Sequence, residues 1–153
     1  MRSITATEDV KEFLAKFFLF SFIYGAIFVN WLDVFKHEMW GYHLWLICMY
    51  FLPVGVLLAF DRSFWLEHID LLIAFGLMSS LWNDIIYGVW KWLLHGEDLI
   101  AFLEWQFGMG DGQWYANLGF TSIPVTSQFM AFTIYLRAVV ILVLLSEWWK
   151  RHS

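Results

Sequence analysis

Four stretches of this chain are long and apolar enough to fix its fold class. A helix needs about 20 residues to cross the roughly 30 Å hydrocarbon layer, and segments at about 12–34, 40–60, 67–92 and 124–147 supply that length. Within hydrocarbon every backbone N–H and C=O must be paired internally, so such a segment crosses as a helix. The sequence therefore predicts an all-α integral membrane protein. It forms a bundle of four transmembrane helices within one membrane domain, 1–153, with a short amphipathic interfacial helix in the 91–123 loop. Composition agrees: 61% of residues are hydrophobic and only 15% charged, where a soluble domain has about a quarter charged. No repeat or low-complexity tract divides the chain.

Local signals refine the spans. Thr7 is the expected N-cap of the first helix, with Glu8 and Asp9 complementing its dipole. Lys16 can snorkel back to the surface. Met1 to Asp9 lack the basic region and cleavage site of a signal peptide, so the first span is expected to be retained. Pro53 should kink the second span. In the outer loop, 93–123, the run Leu99, Ile100, Phe102, Leu103 and Phe107 can share one side of an interfacial helix. The glycines of GMGDGQW then read as a turn.

Orientation follows from Lys and Arg. Arg2, Lys11, Lys16, Arg62, Lys150 and Arg151 share the side of the termini, against Lys36 and Lys91 on the other, so both termini are expected in the cytoplasm. Trp31, Trp40, Trp90 and Trp92 would form an outer belt, and Trp65, Trp148 and Trp149 an inner one. The formal charge of −5 without a basic cluster excludes a nucleic-acid partner. The single Cys48 excludes an internal disulfide and a Cys-based zinc or iron–sulfur site.

Two polar constellations stand out. Arg137 sits mid-span, where an always-charged guanidinium needs a partner. Asp84 lies at a matching depth, so the two are expected to pair between the third and fourth helices. Ser79, Ser80, Asn83 and Tyr87 lie on or beside the same stripe and are able to satisfy leftover donors and acceptors. The second set, Asp33, His37 and His43, lies toward the outer face, with Glu38, His95, Glu97 and Asp98 near the same surface. Imidazole with carboxylate suits copper, zinc or iron, and polar residues also gather at headgroup level without any metal. Asp61, Arg62, Glu67, His68 and Asp70 read as a wet connection and helix start.

Asp33-Val34-Phe35-Lys36-His37 followed by His43 resembles, in order, the Asp-x-x-x-His and further His of the C-type subunit of copper membrane monooxygenases. That resemblance implies a copper site at those residues. The gap to His43 is shorter than in that family, and the third helix offers Asn83 and Tyr87 in place of its second ligand set.

No catalytic or nucleotide-binding motif is present. Three readings remain. The chain is a small polytopic subunit of a larger membrane complex, organised by Asp84–Arg137. Alternatively it is a metal-binding subunit of a membrane oxidoreductase, or a lipophilic-ligand binder or small transporter. Membrane lipids, other membrane subunits and a homo-oligomer are the expected partners, with bound lipid.

Overall fold

The structure, a computed structural model, describes residues 10–35 and 38–152. It is mostly helical, and four helices are long and apolar enough to cross a membrane. The first comprises α1 (Val10–Phe22), a π-helical stretch (Ile23–Val29) and α2 (Asn30–Phe35). The expected cap Thr7, with Glu8 and Asp9, lies outside the described residues. The π stretch loosens the regular hydrogen-bond ladder where this helix presses on α5 (Ile69–His95). A Cβ at Gly25 would lie 2.1 Å from the Ser79 carbonyl oxygen, so only glycine fits. The neighbouring Ala26 carbonyl accepts the Trp90 indole N–H at 2.7 Å.

The second long helix, α3 (Tyr42–Phe60), runs through Pro53. Proline offers no N–H to the carbonyl four residues back. That carbonyl, on Met49, takes a hydrogen bond from the Tyr24 hydroxyl instead. The short α4 (Arg62–Glu67) is capped by Asp61, whose carboxylate accepts the Phe64 N–H at 3.1 Å. It leads into α5, the central helix. Of their most apolar windows, 50% is buried in α5 against 11% in α3. α5 runs past the expected end at 92 and stops at Gly96, whose φ of 67° suits glycine.

The wet reading of the α5 start is corrected. His68 and Asp70 are both buried. His68 Nδ1 accepts the Trp148 indole N–H at 2.9 Å, and Asp70 pairs with Arg151. Trp148 is 2% exposed and stacks on Phe13, so it belongs to the core rather than to an interfacial belt. The last turn of α5's partner helix brought these groups to it, which local sequence around His68 does not reveal.

The outer loop departs from the all-α expectation. It holds α6 (Leu99–Gln106), capped by Asp98 through the N–H groups of Ile100 and Ala101, and then an antiparallel hairpin. Strands β1 (Gln113–Asn117) and β2 (Ser122–Thr126) pair Trp114 with Val125 and Ala116 with Ile123. The turn is closed by Leu118 N–H to Thr121 O at 2.9 Å, and Asn117 Oδ1 accepts the Gly119 N–H. Pro124 is tolerated in β2 because a two-stranded sheet has only edge strands. For the same reason the fourth long helix, α7 (Ser127–His152), begins three residues later than expected. α1, α5 and α7 share the main core, including Phe17, Ala74, Met130, Ile134 and Trp148. Tyr42, Leu46 and Tyr50 of α3 form a smaller core with Val29.

Candidate functional site

Packing around α5 leaves a gap. α3 and α7 flank it on two sides, and α6 and the hairpin cover it from the loop. The result is a cavity of about 960 Å³. Strand alternation explains the hairpin's part: Trp114, Ala116, Ile123 and Val125 lie on one face, and all four line the cavity. The expected apolar side of α6 is divided between α5 and the outside. Phe102 lies against Gly88, where a Cβ would sit 2.0 Å from its ring, and Gln106 is buried, while Ile100 and Phe107 point away.

Two polar clusters meet this cavity, and adjacent residues of α5 carry them. Consecutive helical residues point about 100° apart. Asp84 thus faces α7 while Asn83 faces α2 and α3. On the α7 side, Arg137 Nη2 lies 2.6 Å from Asp84 Oδ2. Its Nη1 donates to Ser80 Oγ at 3.0 Å and its Nε to the Thr133 carbonyl at 3.0 Å. Nη2 also reaches Thr133 Oγ1 at 3.3 Å. The guanidinium is therefore held on several sides.

On the other side, the Asn83 amide donates to Asp33 Oδ2 at 2.7 Å and to the Tyr50 hydroxyl at 2.8 Å. Asn30 donates to the Asn83 carbonyl at 2.9 Å. The Tyr42 hydroxyl donates to the Asp33 carbonyl at 3.2 Å. Asn30 and Asn83 are fully buried. Asp33 is 9% exposed, and no Lys, Arg or His nitrogen lies within 4.0 Å of its carboxylate among the described residues.

The expected site residues separate. Asp84 and Arg137 come together, with Ser80 as a shared partner. Asn83 serves Asp33 and Tyr50 rather than Arg137. Ser79 bonds back to its own helix at Phe75, and Tyr87 contributes its ring to the cavity wall and to Phe102. His37 lies outside the described residues. His43 lines the cavity, but its Nδ1 already accepts the Asn117 N–H at 2.8 Å, and its ring stacks on Trp114. His95 is exposed at the end of α5. Among the described residues, no group of three or more His, Cys, Asp or Glu is placed to hold a metal ion. Tyr50, Thr133 and Gln106 were not singled out by the sequence. Tyr50 and Thr133 carry ordinary polar groups inside spans, and Gln106 is on a helix expected at the membrane surface, with no face assigned to the bundle.

Comparison with protein-family models, with curated proteins and with solved structures finds no match to this chain.

Proposed function

We propose that this chain is a multi-pass integral membrane protein that binds a small lipophilic molecule in the cavity beside α5. One observation carries the reading: a space of about 960 Å³, walled by apolar and aromatic side chains and supplied with a few convergent polar groups. Ligand sites typically have volumes of about 300–1,000 Å³ and this mixture of lining. Large apolar side chains exposed along the four long helices support lipid as their surroundings. In this reading Asp84–Arg137 braces α5 against α7 and holds one wall open, with both termini cytoplasmic as the Lys and Arg asymmetry implies.

The test uses full-length protein in a nonionic detergent and N-phenyl-1-naphthylamine as a neutral fluorescent probe. Saturable binding is expected, and Ala116→Trp or Ile123→Trp, which fill the cavity from the hairpin, should weaken it by about tenfold or more, as lost space forbids the same pose. Non-saturable binding, or affinity unchanged by both substitutions, would overturn the reading.

A second reading, a subunit of a larger membrane complex, draws on α3. Three of its nineteen residues are buried, and nothing lies within 4 Å of a Cβ built at Gly55. Native mass and co-purifying chains test it. A stable monomer with no companion would count against a partner on that helix.

A further inference from the structure

The cavity treats its two carboxylates unequally. Asp84 has a guanidinium at 2.6 Å, whereas Asp33 has one amide N–H on Oδ2 and no cation within 4.0 Å among the described residues. Yet Asp33 is 9% exposed and lines the same space. A buried carboxylate without a counter-charge is costly, and a cation entering the cavity relieves that cost. Arg137 is the only Lys or Arg among the described lining residues, and its nitrogens are committed to Asp84, Ser80 and Thr133. It is poorly placed to receive an anion. With Asp84 and Arg137 paired to each other and the rim Glu97 paired with Lys91 at 3.0 Å, Asp33 leaves the lining with an excess of negative charge.

Two further observations point the same way. Gln106 is 5% exposed, lines the cavity and has an Oε1 acceptor with no partner. Its amide nitrogen already donates to the Asp84 carbonyl at 3.3 Å, which fixes that acceptor's direction. The walls also present the rings of Tyr87, Phe102, Trp105, Trp114 and Phe129, and aromatic faces attract organic cations.

We infer that the molecule held in this cavity is a lipophilic monovalent cation, an amine or quaternary ammonium on an apolar body, with the Asp33 carboxylate as its counter-ion. This inference rests on the cavity-binding reading and adds a charge preference to it. Asp33 faces the ligand's charge, and the rings enclose the apolar body. Lipophilic carboxylates and other anions are disfavoured by the same arrangement.

Tetraphenylphosphonium and tetraphenylborate have nearly the same size and shape and opposite charge. Each is titrated against N-phenyl-1-naphthylamine bound to the full chain in nonionic detergent, with protein-free micelles subtracted. Tetraphenylphosphonium should displace the neutral probe at a concentration about tenfold or more below that needed for tetraphenylborate, because one buried charge decides between them. Asp33→Asn keeps an acceptor for Asn83, so it should weaken the phosphonium by about tenfold while the neutral probe changes by less than about threefold. Asp98→Asn, an exposed rim substitution, should change both by less than about threefold.

Equal displacement by the two ions, or unchanged phosphonium affinity in Asp33→Asn with the neutral probe still bound, would overturn the charge preference and leave the cavity reading standing. Absence of saturable binding by the neutral probe and by both ions would overturn the two together. The wild-type comparison of the ions needs no variant, so it decides the matter even if Asp33→Asn does not fold.

Discussion

At the scale of single residues, charge in an apolar run is the strongest signal this sequence carries. Arg137 has nowhere polar to go within its own helix except Thr133, and Asp84 supplies the opposite charge from α5. Removing one partner leaves the other uncompensated. Arg137→Leu should destabilise the protein by about 3–5 kcal/mol, and Arg137→Leu with Asp84→Leu should recover most of that loss. Unfolding in detergent, followed by tryptophan fluorescence, measures both. A single variant as stable as the wild type would mean that the pair contributes nothing to the fold, and one no less stable than the double would mean that the lone Asp84 costs nothing. The same scale shows what sequence withholds. Asp33 was visible, but its partner Asn83 lies 50 residues away along the chain, and Asn83's other partner, Tyr50, lies 33 residues from it, so only folding reveals which amide meets which carboxylate.

His68 makes a second residue-scale case, and it lies outside the four long helices. Burial lowers its pKa below the ordinary 6.5, and the nearby His152 adds to the effect. Its Nδ1 is the acceptor for Trp148, which requires that nitrogen to be free of a proton. In the unfolded chain the imidazole takes its proton near pH 6.5; the folded protein resists until lower pH. Between those two values the unfolded state binds more protons, so stability falls as pH drops below about 6.5. The melting temperature should be lower at pH 5.5 than at pH 7.5. His68→Gln keeps an acceptor for the indole and cannot titrate, so it should shrink that difference. An identical pH response in the variant would remove His68 as the cause.

At the scale of elements, the four long helices were legible because length and apolarity suffice to define them. The ends and the loop were not. Pro124 looked like a helix start and is instead part of β2, where its missing N–H is harmless at a sheet edge. Apolar periodicity grouped Phe102 with Ile100 and Phe107, and a glycine on α5, Gly88, decides that Phe102 is the ring admitted. The π stretch likewise coincides with the close approach of α5 at Gly25, a contact that no local pattern encodes. Pro53 offers a direct test of how two elements repair each other. Tyr24→Phe should strand the Met49 carbonyl and cost about 1 kcal/mol. In a Pro53→Ala background the helix can supply its own N–H to that carbonyl, so Tyr24→Phe should then cost much less. A double-mutant cycle reads the coupling directly. Additive effects would show that the hydroxyl and the proline act separately.

At the scale of the whole molecule, the arrangement separates a rigid part from a cover. α1, α5 and α7 share a core that includes the buried Trp148, and α5 is the most enclosed helix. α6 and the hairpin lie outside the four apolar spans; Val125 reaches the main core, and the segment is tied to the long helices by Phe102 on Gly88, Gln106 on the Asp84 carbonyl, Ser127 between the Trp105 carbonyl and the Gly110 N–H, and His43 on the Asn117 N–H. Local opening follows the least buried, least contacted segments. Release of a ligand from the cavity should therefore proceed by lifting of this cover rather than by separation of α5 from α7. Hydrogen–deuterium exchange with N-phenyl-1-naphthylamine distinguishes the routes. In the free protein, amides of 99–126 should exchange faster than those of α5. With ligand at about 100 times its Kd, opening that requires release is suppressed by about hundredfold, so protection should rise in 99–126 and stay constant in α5. Protection gained in α3 instead would place the exit on the lipid side, between α3 and α7, where three buried residues hold α3 to the bundle.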